Sequence, residues 1–256
     1  MRSNPVKQAL KAGRAQVGSM LPWPSPELAE VLACAGCDFV VVDAEHGATT
    51  LETAVGQLRA AEGAGAVPLV RLVNDPLAIQ QALDIGALGI QVAQVNTGDE
   101  ARRALRAAKF HPLGERGANL GVRAARHGLM PRDEYLRMAN AETLVAVQVE
   151  NIKGVEHLEE ILQVEGIDVI LVAPTDLSAS LGLTGQYDHP KVRETVDRTL
   201  ERIIKAGAVA GALALSPAMA RDYLGRGVRY IVATPVPAML RAARDHLAEV
   251  RAAFPK

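Results

Sequence analysis

The stretch DVILVAPTDLS, Asp168–Ser178, carries the pattern on which the reading of the whole chain turns. Its Val-Ile-Leu-Val run is apolar without alternation and rich in β-branched residues, as expected of a strand buried on both faces of a parallel sheet. At Ala173–Ser178 the strand ends and a helix starts, and Asp176 stands at that junction. The same unit recurs along the chain, with FVVVD at Phe39–Asp43 as another clear case. Strands are predicted at Gln16–Leu21, Asp38–Asp43, Val67–Arg71, Gly89–Ala93, Leu144–Val149, Val169–Ala173, Val209–Leu213 and Tyr230–Ala233. Between them lie Ala- and Leu-rich amphipathic stretches, with start signals such as Ser25-Pro26 and Asp75-Pro76 and stop signals such as Gly63, Gly86 and Gly207. Eight strand–helix pairs in 256 residues read as an α/β fold, a closed (β/α)₈ TIM barrel. An open doubly wound sheet is the second architecture, but no G-x-G-x-x-G follows the first strand. No linker, repeat or low-complexity segment divides the chain, so residues 1–256 are read as one domain.

Composition narrows the function classes. With 49% hydrophobic and 22% charged residues, the chain has what an ordinary globular core needs. A net charge of −1 and a pI near 6.6 provide no field for nucleic acid or an anionic membrane. No apolar run approaches the roughly 18 residues of a spanning helix. The N-terminal MRSNPVKQALKAGR lacks the apolar core of a signal peptide, so the expected location is the cytoplasm. Cys34 and Cys37 form a C-x-x-C that closes a predicted helix, with Gly36 as its cap. A redox pair normally opens a helix, and no second pair completes a zinc site, so these cysteines read as small apolar residues under a barrel helix. One connection, Phe110–Pro131, is too long and polar for a turn and carries Arg116, Arg123, Arg126, His111 and His127. Because it follows the fourth strand, it is expected over the catalytic mouth, in contact with the substrate's tail.

A barrel enzyme builds its site at the C-terminal ends of its strands. Here the second strand ends in Asp43-Ala44-Glu45-His46-Gly47, the third in Arg71, the fifth in Gln148-Val149-Glu150, and the sixth runs into Thr175 and Asp176. Each has a plainer reading: Asp176 as a helix cap, Glu150 as a solvated carboxylate, Arg71 as an ion-pair former, His46 as a loop histidine. Gln148 and Glu150 point the same way by alternation, and two polar groups facing a barrel interior are costly unless partnered. Glu150 and Asp176, from adjacent strands, offer two hard oxygen ligands. That is too few for a closed cage and suits Mg²⁺, Mn²⁺ or Co²⁺ completed by water and a chelating substrate. The turn at Ala173–Ser178 offers backbone N–H groups to a substrate carboxylate. Asp84 closes a helix, where the macrodipole disfavours an anion; it is either a tolerated surface residue or the orienting partner of an imidazole.

The stretches VVDAEHG (41–47), PLVR (68–71), ALDIGALGI (82–90), GERGANLGVRAARHG (114–128), VQVE (147–150) and PTDLSASLG (174–182) are specific in combination. With them the chain resembles, nearly end to end, the class II (metal-dependent) pyruvate aldolase family of the 2,4-dihydroxyhept-2-ene-1,7-dioate aldolase and 2-keto-3-deoxy-L-rhamnonate aldolase type. The resemblance implies His46 as catalytic base with Asp84 as its dyad partner, and Arg71 as stabiliser of the enolate oxygen. It further implies Glu150 and Asp176 as metal ligands, Gln148 as a substrate contact and Leu213 as a pocket-lining position. It also implies a homohexamer, a trimer of dimers with exchanged C-terminal helices. The chain departs from the family at Met20, at Ala93 and Ala173, and in the eighth strand's IVATPVPAML, which bears on aldehyde specificity more than on chemistry.

The expected reaction is reversible retro-aldol cleavage of a 4-hydroxy-2-keto acid to pyruvate and an aldehyde. A Schiff-base route would need a lysine inside the barrel, and all seven lysines fall outside the predicted strands. The rivals are an acyl-CoA lyase of the citramalyl or malyl type, for which no phosphate cradle is visible, and a catalytically silent barrel serving as a binding or assembly protein. Oxaloacetate decarboxylation is expected as a side activity.

Overall fold

Each predicted strand forms, and each is followed in the chain by a helix. The computed structural model describes residues 2–254, so Lys256 lies outside the described residues. In chain order the first half comprises α1 (Pro5–Lys11), β1 (Gln16–Leu21), α2 (Pro26–Cys34), β2 (Phe39–Asp43), α3 (Leu51–Gly63), β3 (Val67–Leu72), α4 (Pro76–Asp84), β4 (Gly89–Val92) and α5 (Gly98–Ala108). The second half comprises α6 (Arg132–Glu142), β5 (Leu144–Val149), α7 (Ile152–Glu156), α8 (Leu158–Leu162), β6 (Val169–Val172), α9 (Pro174–Ser180), α10 (Pro190–Lys205), β7 (Ala210–Ala214), α11 (Pro217–Arg226), β8 (Tyr230–Ala233) and α12 (Pro235–Ala252). All eight strands pair in parallel in chain order, and β8 closes on β1 with Gln16 opposite Tyr230.

Closure explains the unalternating strands, because each must satisfy two apolar environments. One face packs outward against the helices, through residues such as Val40, Val42, Ile90, Val147 and Val172. The other fills the barrel interior with Phe39, Val41, Leu69, Leu144, Leu171 and Tyr230. Inside, the Phe39 and Tyr230 rings stack 4.4 Å apart. Val6 and Leu10 of α1 join the interior cluster and close the N-terminal end. The start signals act as read: Ser25 accepts from the N–H of Leu28 at 3.1 Å and Asp75 from that of Ala78 at 2.8 Å. Of the stop signals, Gly86 and Gly207 take positive φ, but after α3 it is Gly65, not Gly63, that does so. Cys34 and Cys37 are free thiols, and burial followed by Asp38 pushes the Cys37 thiol up, away from reactivity. No helix among the described residues is long and apolar enough to cross a membrane.

The long connection does not lie over the catalytic mouth. α5 intervenes after β4 and carries the chain back to the N-terminal end of the barrel before the connection begins. There Arg123 donates to the carbonyl of Ile85 at 3.3 Å and pairs with Glu62, and these partners stand at the trailing ends of α4 and α3. The segment is ordered by its own small core of Phe110, Ala124, Ala125, Met130, Tyr135 and Ala139. The Arg116 guanidinium lies 4.6 Å from the Phe110 ring centre and donates to Asp84 at 2.6 Å. Its side chain is 2% exposed, so the pair behaves as a buried one. Asp84→Ala would strand that charge and is expected to cost about 3 kcal/mol of stability, read as a lower urea midpoint; Arg116→Met in the same chain should recover part of it.

Candidate active site

The C-terminal ends of the strands converge on a cavity of about 160 Å³. Surface grooves elsewhere are larger, about 390 to 500 Å³, but this one gathers His46, Arg71, Gln148, Thr175 and Asp176. Arg71 organises one side. Its Nε and Nη2 donate to the two carboxylate oxygens of Asp43 at 2.9 and 2.5 Å, a bidentate grip that fixes the guanidinium plane. Its Nε also stands 3.4 Å from Glu45. Asp43 in turn accepts the N–H groups of Glu45 and His46 at 3.1 and 3.2 Å. Burial works to raise the Asp43 pKa, but Arg71 and these N–H groups outweigh it and hold the carboxyl below its usual range. The His46 backbone is thereby pinned, while its imidazole stays largely exposed and reaches the cavity, with Nε2 3.9 Å from Glu45.

On the other side, Gln148 and Glu150 share a face, as the alternation requires: Gln148 Nε2 donates to Glu150 Oε2 at 2.6 Å. The second Glu150 oxygen accepts the backbone N–H of Gln94 at 2.6 Å. Gln94 holds a φ of +54°, left-handed backbone that a non-glycine residue adopts at a cost, and here it accompanies the N–H bond to the carboxylate. Burial, then the neighbouring Glu45 and Asp176, push Glu150 up to about 7 despite these two donors. Ala173, Thr175 and Asp176 line the wall beyond β6, and Met20, Leu171 and Leu213 make its apolar part.

The predicted residues are therefore brought together at one rim, with one exception. Asp84 closes α4 at the N-terminal end of the barrel and is held by Arg116, so within one chain it does not meet His46. The dyad role of Asp84 is what the family resemblance implies, while the antiparallel return of the helix sets which end of the barrel it occupies. Sequence reasoning passed over Gln91, and it noted Asp43 and Glu45 without choosing them. Gln91 left a signal, a polar side chain within the apolar run GIQV, fully buried and lining the cavity. Gln94 left none, since its part rests on a backbone angle.

Residues 16–234 match the family model described as HpcH/HpaI aldolase/citrate lyase. The chain belongs to this family. It is 40% identical to the 2-keto-3-deoxy-L-rhamnonate aldolase of Salmonella gallinarum, over 93% of this chain and 89% of that protein. Its fold matches the crystal structure of an HpcH/HpaI aldolase/citrate lyase family protein from Burkholderia cenocepacia J2315 with a TM-score of 0.92, 38% identity, and coverage of 97% and 100% of the two chains. The crystal structure of citrate synthase SbnG matches with a TM-score of 0.87 and 30% identity, covering 96% of each chain. The chain is a carbon–carbon lyase by this membership.

The donor set fits a divalent cation. Asp43, Glu45, Glu150 and Asp176 crowd one rim, and Arg71 is occupied by Asp43 and Glu45. One buried oxygen of Glu45 has no hydrogen-bond partner. Among the described residues no group of three or more His, Cys, Asp or Glu is placed to hold a metal. No lysine among the described residues lines the cavity. The buried lysine with a lowered pKa is Lys109, pushed to about 7 by burial and by Lys7. Its amine donates to the carbonyls of Asn140 and Thr143, just ahead of β5 at the opposite end of the barrel.

The raised Glu150 has a thermodynamic consequence for the metal-free protein. A carboxyl whose pKa rises on folding contributes stability below its unfolded pKa, and that contribution is lost as pH rises through the folded value. In chelator, Glu150→Gln should unfold at a higher temperature than the wild type at pH 8, by on the order of 5 °C. The gap should close toward pH 5, and Mn²⁺ should raise the wild-type midpoint at pH 8 but not that of the variant. Thermal unfolding monitored by circular dichroism across pH 5–8 reads all of this.

Proposed function

We propose that the cavity binds a 4-hydroxy-2-keto acid and cleaves it reversibly to pyruvate and an aldehyde. The observation that carries the reading is the meeting, around one small cavity, of an exposed imidazole, a fixed guanidinium and the Asp176 carboxylate, with the buried Glu150 carboxylate hydrogen-bonded to the cavity-lining Gln148. Glu150 and Asp176 would hold a divalent ion, Mg²⁺, Mn²⁺ or Co²⁺, which supplies Lewis-acid polarisation of the keto group and charge for the enolate. Backbone N–H groups of the turn at Ala173 and Thr175 face the substrate carboxylate, and Gln148 contacts the keto acid. His46 removes the proton of the C4 hydroxyl. The C3–C4 bond then breaks, its electron pair passing into the enolate and its former C4 leaving as the aldehyde carbon. Arg71 stabilises the enolate oxygen, and protonation at C3 yields pyruvate. Asp43 keeps the Arg71 plane and the His46 backbone in register for both steps. Met20, Leu171 and Leu213 offer apolar contact to the aldehyde's carbons.

Chelator-stripped protein should release no pyruvate from a simple 4-hydroxy-2-keto acid, and added Mn²⁺ or Mg²⁺ should restore release in a coupled assay. Glu150→Gln should abolish the metal response, and His46→Ala should lower kcat by about 10²–10⁴. Arg71→Met should lower it by about 10²–10³. Pyruvate release indifferent to chelation would sink the metal reading. No release from several such substrates, with turnover of an acyl-CoA instead, would favour the acyl-CoA lyase reading, to which the relative named as a citrate synthase lends weight.

We further propose that the protein assembles as a homohexamer, a trimer of dimers that exchanges α12, and works in the cytoplasm, where its two free thiols fit a reducing milieu. α12 buries none of its residues and exposes Met239, Leu240, Leu247 and Val250. Such an apolar face on a helix needs a partner surface. Leu240→Glu with Leu247→Glu is expected to break the oligomer to smaller species, seen by light scattering.

A further inference from the structure

Along the cavity floor a line of buried polar groups crosses the barrel, and the proposed chemistry leaves its far end without a role. The Tyr230 hydroxyl, on β8, donates to Gln91 Oε1 at 3.1 Å. Gln91 Nε2, on β4, donates to Gln148 Oε1 on β5, and Gln148 Nε2 donates to Glu150. Tyr230 and Gln91 are fully buried, and Gln148 nearly so. Nothing about the shape of a glutamine amide decides which way it faces; turning it over exchanges donor for acceptor in the same space. The two ends of the line make the choice. A carboxylate can only accept, so Gln148 must offer it an N–H. At the other end a buried hydroxyl hydrogen needs an acceptor, and Gln91 Oε1 supplies it. With Gln91 turned over, the Tyr230 hydrogen would be orphaned; with Gln148 turned over as well, an amide oxygen would face the Glu150 carboxylate.

We propose that Tyr230 and Gln91 are positioning residues that set the direction of this relay, so that Gln148 presents its N–H to Glu150 and holds that carboxylate in the orientation that binds the cation. The inference rests on the reading of Glu150 as a metal ligand. It gives a purpose to two polar side chains inside an apolar barrel, where a phenyl ring and an aliphatic chain would pack without polar atoms to satisfy. Hydrogen-bond partners behind a metal ligand tune both its aim and its affinity.

The test is a double-mutant cycle on Mn²⁺ affinity, measured from the electron paramagnetic resonance signal of free Mn²⁺ during titration of the apoprotein. Tyr230→Phe keeps the ring that stacks on Phe39 and deletes only the hydroxyl; it should weaken Mn²⁺ binding about 3- to 10-fold. Gln91→Met keeps the length of the side chain and should weaken it about 10- to 30-fold. In the Gln91→Met background, Tyr230→Phe should have no further effect, because its influence passes through the amide that is gone. Equal effects of Tyr230→Phe in both backgrounds, or wild-type affinity in both single variants, would overturn the inference. Should Gln91→Met fail to fold, Gln148→Met supplies the same background, and Tyr230→Phe must again be silent in it. Glu150→Gln separates the two levels. Undiminished Mn²⁺ binding there defeats the ligand reading itself, whereas lost binding there with unaffected Tyr230→Phe and Gln91→Met defeats only the relay.

Discussion

Closure of eight parallel strands into a ring is the constraint from which the rest of this molecule follows. Once β8 pairs with β1 there is no sheet edge, and the interior becomes a sealed column that side chains must fill. Apolar residues fill most of it, with Val6 and Leu10 of α1 closing the N-terminal end. Polar groups can enter only where they find partners. They do so toward the C-terminal end, as the Arg71–Asp43 pair and as the line from Tyr230 through Gln91 and Gln148 to Glu150. The site is thus the place where the packed column gives way to a polar layer.

Within that layer, two carboxylates of similar burial are driven in opposite directions. Asp43 faces a guanidinium and is held below its ordinary range, while Glu150 faces amide donors and other carboxylates and is pushed up to about 7. The difference lies in the partner and not in the residue type. It divides the labour of the rim: Asp43 is part of the scaffold that aims Arg71 and His46, and Glu150 is left as a group with unmet demand for positive charge. The same logic sets Lys109 apart. Its lowered pKa resembles that of a reactive amine, but its hydrogen bonds to Asn140 and Thr143 tie it to structure at the other end of the barrel.

Two segments show how position in the chain can mislead about position in space. The segment Phe110–Pro131 follows β4 in sequence, yet α5 returns the chain to the N-terminal end before it starts, and its Arg116 and Arg123 serve Asp84, Glu62 and the carbonyl of Ile85. Asp84 sits in a stretch that resembles the aldolases, yet the helix it closes runs away from the mouth. Toward the chain's end, α12 carries an apolar face that none of the described residues of the same chain buries.

The eight strands, their order and most of the rim were legible in the sequence, because burial on two faces writes unbroken β-branched runs and because catalytic groups of a barrel sit where those runs end. His46, Arg71, Gln148, Glu150 and Asp176 could be picked out for that reason: each is a polar residue at the close of an apolar run. Sequence alone also determined that no lysine stands on a strand. What only the tertiary structure decided are relations between residues far apart in the chain. These include the pairing of Arg71 with Asp43, the burial that raises Glu150, the left-handed turn at Gln94 and the capture of Asp84 by Arg116. Tyr230 and Gln91 are separated by 139 positions and meet only because the barrel closes. Local pattern records which face of an element is apolar; distances across the ring, and the charges they bring together, exist only once the ring has formed.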